Sequence, residues 1–367
     1  LVLAVQGGSK LCEKAVSVRF SDKAIYYGRF QLKKRGLASI TTIICLIALL
    51  AMSLPVITGC GATQPGMTYK VGITQIVTHP ALDANRQGFI DQLAEEGFIE
   101  GENIEYDFNN PEGDMTIAAS IAQKFVSEKV DLILAIATPT AQACVQAVKG
   151  TEIKVVFGSV TDPVEAALVA SWDEPGGNVT GISDWADVGA QVQLVMDILP
   201  DIKKLGTIYN AGEVNSRVQV VELKKVAPDL GIEEIVEATV ATTADVLAAA
   251  QSLVGRVDAI WIPTDNTVVS AFEAMVKVCE DNSIPLFAAD VATVERGAIG
   301  TPGIDYYQLG RECGQVAAHI LNGESPADIP VKKVDMTDLY LNPSAAERMG
   351  VTIPASVLDQ ATQIVGE

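Results

Sequence analysis

Carboxylates, hydroxyls and amides gather at intervals along this chain, each group directly after a short apolar run. The first group runs from Gln75 through His79 to Asp83, and Thr138 with Thr140, then Thr161 with Asp162, follow it. Further on stand Asn215 with Ser216, Asp265 with Asn266, and Asp290. Such residue types cap helices, with proline favoured just behind the cap, and capping alone accounts for any one of the groups. The set supports a further reading. Aspartates such as Asp265, Asp290 or Asp162 could pair an ammonium, while hydroxyls and helix N-termini suit a carboxylate. Facing one another across a cleft, they would make a receptor for a zwitterion.

Catalytic and metal-binding patterns do not compete with that reading. GxSxG, HExxH, GxGxxG and GxxxxGK[ST] are all absent. The histidines are His79 and His319 alone, and the six cysteines, at 12, 45, 60, 144, 279 and 313, include no CxxC pair, so neither a metal nor a cofactor is expected. Cys144, Cys279 and Cys313 sit among alanines and valines as small buried residues would. Residues 1–59 hold 8 of the 26 Lys and Arg but 2 of the 46 Asp and Glu, which leaves 18 against 44 for the rest, a net charge of -26. So acidic a body argues against a nucleic-acid partner.

The elements that would position these groups are legible in the hydrophobic pattern. Val71–Ile76, Ile104–Phe108, Leu132–Ala137 and Val155–Val160 read as strands, alternating with helical stripes such as Ile117, Ile121, Phe125. The rhythm resumes at Leu205–Tyr209, Ile235–Val240, Ala259–Ile262 and Leu286–Ala289. Strand, helix, strand without hairpin signals means parallel sheets covered on both faces. Segments recur at offsets of 134, 127 and 130 residues, favouring two similar α/β lobes. In such sheets ligands bind beyond the carboxyl ends of the strands, which is where the polar groups lie.

The expected fold is therefore two doubly wound parallel-sheet lobes joined by a three-strand hinge. Lobe one would comprise 69–183 with 291–338, and lobe two 184–290 with 339–367. Gly176–Gly181 reads as the irregular connection between them. Ala298–Thr301 and the helix Leu309–Leu321 are expected to return to lobe one, and Leu339–Asn342 to cross again.

The front of the chain reads as an address. Lys33, Lys34 and Arg35 precede an apolar stretch that ends Val56-Ile57-Thr58-Gly59-Cys60, in the order of a secretory signal. A Gly/Thr/Gln/Pro tether, within residues 60–68, follows. The junction resembles a bacterial lipobox, which implies a diacylglyceryl group on Cys60 and anchoring of the body to the outer side of the cell membrane. Residues 1–31 look like neither signal nor domain and take no part in the fold reading.

Several segments resemble the TrpX-type substrate-binding proteins of ABC transporters. They are Gln75-Ile76-Val77-Thr78-His79-Pro80-Ala81-Leu82-Asp83, Thr161-Asp162-Pro163-Val164 and Asn178-Val179-Thr180-Gly181-Ile182-Ser183-Asp184. Asn215-Ser216, Gly303-Ile304-Asp305-Tyr306 and Leu341-Asn342 also fit. The resemblance covers roughly Tyr69 to Pro354. It implies a type I periplasmic-binding fold, a permease and an ATPase as partners, and often an aromatic amino acid as ligand. Binding and delivery without chemistry is the expected function; a ligand sensor for a membrane receptor and an anchored extracellular enzyme are the alternatives.

Overall fold

The computed structural model describes residues 68–334 and 338–366. The apolar run before Cys60, and Cys60 itself, lie outside them. Among the described residues no helix is long and apolar enough to cross a membrane.

The first lobe alternates strand and helix up to its last two strands: β1 (Tyr69–Gln75), α1 (Pro80–Glu95), β2 (Ile104–Asn109), α2 (Met115–Glu128), β3 (Leu132–Ile136), α3 (Thr138–Ala147), β4 (Lys154–Gly158) and β5 (Val179–Ser183). Successive side chains of a strand point to opposite faces. Leu132, Leu134 and Ile136 accordingly pack in one core cluster, and Ile133 and Ala135 in another on the far side of the sheet. Both faces of β3 are buried, as a parallel sheet requires. The order across the sheet is β11-β5-β4-β3-β1-β2, where β11 is the short strand Lys332–Lys333 that runs parallel to β5.

The second lobe repeats the plan with α4 (Val188–Ile198), β6 (Lys204–Asn210), α5 (Val214–Val226), β7 (Glu234–Val240), α6 (Val246–Leu253), β8 (Ala259–Ile262), α7 (Asn266–Val269), α8 (Phe272–Asn282) and β9 (Leu286–Ala288). Its parallel sheet has the order β7-β6-β8-β9. The chain continues through α9 (Ala292–Glu295) and β10 (Gly300–Gly303) to α10 (Tyr306–Leu321) in lobe one. After β11 it returns as β12 (Asp338–Leu341), α11 (Pro343–Arg348), α12 (Ala355–Leu358) and β13 (Gln363–Ile364). The strand β12 lies antiparallel to β10 and parallel to β13.

Two segments depart from the sequence reading. Residues 178–181 look irregular because of their Asn and Gly, yet Val179–Ser183 is a fully buried strand parallel to β4. Gly181 is there for space: a Cβ would stand 2.1 Å from the Phe157 carbonyl oxygen. The first crossing between lobes therefore begins at Asp184. Ala298 and Ile299, expected in lobe one, pack instead in the core of lobe two, where the Ile299 amide donates to Leu286 O at 2.8 Å. The return to lobe one comes at Ile304, whose side chain joins the lobe-one core, rather than at Val291. The third crossing lies between Val334, packed on lobe one, and Leu339, packed on lobe two.

Candidate ligand-binding site

A small cavity lies between the lobes, at the carboxyl ends of their strands. Lobe one contributes His79 and Leu82 at the start of α1, Ser159 and Thr161 after β4, and Tyr306 at the start of α10. Lobe two contributes Asn215 from α5, Thr264, Asp265 and Asn266 after β8, Val269 at the end of α7, and Asp290 after β9. Asp184 stands in the first crossing itself. Thr161 Oγ1 and Thr264 Oγ1 meet at 3.3 Å, one from each lobe.

The charged residues that line this space have one sign. Asp184, Asp265 and Asp290 are buried, and no lysine or arginine lines the cavity. Desolvation pushes Asp184 up to about 6, against the Thr161 and Tyr306 hydroxyls that donate to it at 3.0 and 3.2 Å. Burial likewise pushes Asp290 up to about 6; the Ala292 amide and Arg296 oppose the shift, and Asp184 adds to it. The Ala292 amide donates to Asp290 Oδ1 at 2.8 Å, which leaves Oδ2 for the cavity. Tyr306 is held neutral by burial and by the same two aspartates. Asn215 donates its Nδ2 hydrogens to Glu213 and Thr264 O, while its Oδ1 is buried without a partner.

Asp265 has a different office. Its Oδ2 accepts from the Asn210 amide at 2.6 Å and from Ser216 Oγ at 2.5 Å, and its Oδ1 accepts from the Val268 amide at 2.8 Å, capping α7. Burial and the neighbouring Glu213 raise its pKa. Glu213 in turn accepts from Asn266 Nδ2 at 2.6 Å and from Thr267 Oγ1 at 2.8 Å. These two acids stitch the start of α5 to the start of α7.

Of the residues named from the sequence, the cavity gathers His79, Thr161, Asn215, Asp265, Asn266 and Asp290, with Ser216 behind Asp265. Four others point elsewhere. Gln75 donates to Val77 O and Asp83 and accepts from Arg86, which braces the start of α1. Thr140 Oγ1 bonds back to Ile136 O and Ala137 O. Asp162 is committed to the Val164 and Glu165 amides. Thr138 is buried at the N-terminus of α3 with its Oγ1 unpartnered, outside the cavity wall. The site residues chosen from the sequence did not include Leu82, Ser159, Asp184, Thr264, Val269 or Tyr306, although Thr264 opens the polar group after Ala259–Ile262 and Leu82, Asp184 and Tyr306 lie in the segments that carry the family resemblance. Asp184, Thr264 and Tyr306 were within reach, because each ends or borders a segment already read as polar. Ser159 was not: it stands out by its φ of 54°, a left-handed conformation unusual for a residue with a side chain.

Comparison with known proteins converges on one family. The family model described as ABC transporter substrate binding protein matches residues 70–365. The Tyrosine-binding protein of Clostridioides difficile (strain R20291) is 44% identical over 273 residues, which is 74% of this chain and 78% of that protein. An ABC domain from Streptococcus pneumoniae solved in complex with L-Trp superposes with a TM-score of 0.78 at 36% identity, covering 81% of this chain and 100% of that one. The ligand-free, open structure of a substrate binding protein with adhesive properties from Clostridium difficile gives 0.62 at 43% identity, covering 81% and 99%.

Proposed function

Because this chain belongs to the ABC transporter substrate-binding proteins, which bind solutes and carry out no chemistry on them, we propose that it captures an aromatic amino acid outside the cytoplasm and delivers it to a permease coupled to an ATPase. The body would be tethered to the membrane through lipid on Cys60. The observation that carries the ligand class is the cavity's one-signed polarity: buried carboxylates face a space that no lysine or arginine enters. A buried anion without a partner is costly, so the ligand must bring the positive charge.

Asp184 and Asp290 are the leading partners for that ammonium, because their oxygens are the least committed, and Asn215 Oδ1 adds a neutral acceptor. Ser159 Oγ accepts from Asn85 at 2.7 Å, which frees its own hydrogen for the ligand's carboxylate. Leu82, Val269 and the ring of Tyr306 supply the apolar contact an aromatic side chain needs. The relatives named for tyrosine and solved with L-Trp support the aromatic assignment.

Native mass spectrometry of the purified protein, followed by calorimetry against the amino acids, tests the proposal. A retained or titrated aromatic amino acid is expected; a sugar or nucleobase in the cleft would sink the zwitterion reading. For the anchor, Cys60→Ser should release the protein from membranes or leave it unprocessed, and native protein found soluble and cut elsewhere would refute lipidation.

A further inference from the structure

His79 ends the loop after β1 at the N-cap position of α1, and its side chain makes no capping hydrogen bond. The ring is 8% exposed, lines the inter-lobe cavity, and leaves Nδ1 buried without a partner. Its other neighbours fix its chemistry. Asn266, from the opposite lobe, donates from Nδ2 to the Glu213 carboxylate at 2.6 Å. The Asn266 side chain lies beside the His79 ring and opposes the lowering of its pKa by burial, as an acceptor facing a ring N–H does. With Nδ1 unpartnered, an N–H on Nε2 facing Asn266 leaves the lone pair on Nδ1.

We infer that His79 Nδ1 is the acceptor for a hydrogen-bond donor on the ligand's side chain, a phenol O–H or an indole N–H, and that it discriminates against aromatic amino acids lacking one. The inference rests on the aromatic amino-acid reading above. The ammonium has its acceptors in Asp184, Asp290 and Asn215, whereas His79 belongs to the same lining as the apolar Leu82 and Val269. Two charged groups act on the ring, Arg296 and Asp83, and Arg296 acts more strongly, so a neutral donor suits this position better than a cation. Burial holds the imidazole at about 4, which keeps it an acceptor at neutral pH. Asn266 also borders a second, wider compartment of the cleft, walled in part by Ile76, Val77 and Pro139, so a ring reaching His79 has space beyond it. A site built around a buried acceptor rejects the analogue that leaves it unpaired far more strongly than an apolar pocket does.

Calorimetry of the purified protein and of His79→Leu and His79→Asn with L-tyrosine, L-tryptophan and L-phenylalanine tests this. The unsubstituted protein should bind tyrosine or tryptophan at least tenfold more tightly than phenylalanine. His79→Leu should erase that preference by weakening the donor-bearing ligand at least tenfold, with phenylalanine within about threefold. His79→Asn, whose amide oxygen offers an acceptor near the position of Nδ1, should restore part of it. An equal loss for all three ligands, an unchanged preference, or an unsubstituted protein that does not prefer the donor-bearing ligands overturns the inference while leaving the aromatic reading in place. A protein that binds none of the three removes both.

Discussion

Asp184 and Asp290 show most sharply how a residue suited to binding is ill suited to the empty molecule. Each is a buried carboxylate with incomplete compensation, and Asp184 raises the pKa of Asp290. Asp290→Asn should therefore weaken ligand binding by ~2–5 kcal/mol, the range for losing one member of a buried charge pair, which calorimetry would read as about thirtyfold or more. The same substitution should raise the melting temperature of the unliganded protein at pH 7.5, because a desolvated charge has gone; a variant that binds as before, or melts lower, contradicts the assignment. The pH dependence follows with its sign. Both groups sit at about 6 when the site is empty, and the ammonium needs them ionised, so affinity is full above that value and is lost as pH falls through it. Between pH 7.5 and 5 the dissociation constant should rise roughly tenfold for each aspartate that must ionise; a flat profile would mean the ligand does not use them. The free protein has the opposite preference, since its folded form takes up these protons more readily than the unfolded chain does, so on these two groups its stability falls as pH rises from about 4 to 6. The site was half legible in the sequence. His79, Asn266 and Asp290 follow apolar strands and could be picked out, whereas Asp184 follows a strand disguised by Asn178 and Gly181. Asp265 looked equally available, and only its three donors reveal that it is occupied.

The helices α1 and α10 do the positioning, and glycines decide how closely they approach. A Cβ on Gly310 would stand 2.0 Å from Asn85 O, and one on Gly88 would stand 2.1 Å from Tyr307 O. These are backbone atoms, so neither helix can yield locally. Gly310→Ala should push the pair apart at a cost of ~1–3 kcal/mol, seen as a lower melting temperature. Because His79 precedes α1 and Tyr306 begins α10, ligand affinity should fall as well; an unaltered melting curve would show that the contact can relax. The alternation of strand and helix was readable because burial on both faces of a parallel sheet makes each strand a continuous apolar run. The ends of that pattern were not. Ala298 and Ile299 carry the apolar signature either lobe would accept, and what assigns them to lobe two is a backbone bond to Leu286, which no local pattern encodes.

At the scale of the whole molecule, the lobes stand close. Thr161 touches Thr264 across the cleft, and the chain superposes better on the L-Trp complex than on the open ligand-free relative, although the latter is the nearer in sequence. Without a ligand, Asp184 in the first crossing and Asp290 in lobe two repel each other, and an ammonium between them reverses that force. Small-angle scattering at neutral pH should therefore show a smaller radius of gyration at saturating ligand than without it; an unchanged radius would count against closure though not against binding. The three crossings that permit this movement also order events on the ribosome. Domains generally fold as units while the chain emerges amino end first, and here the first lobe cannot do so. Phe89 and Leu93 on α1 belong to the same core cluster as Leu309 and Cys313 on α10, which are synthesised only after most of lobe two. The nascent first half must therefore wait with an apolar helix face uncovered until α10 has been made.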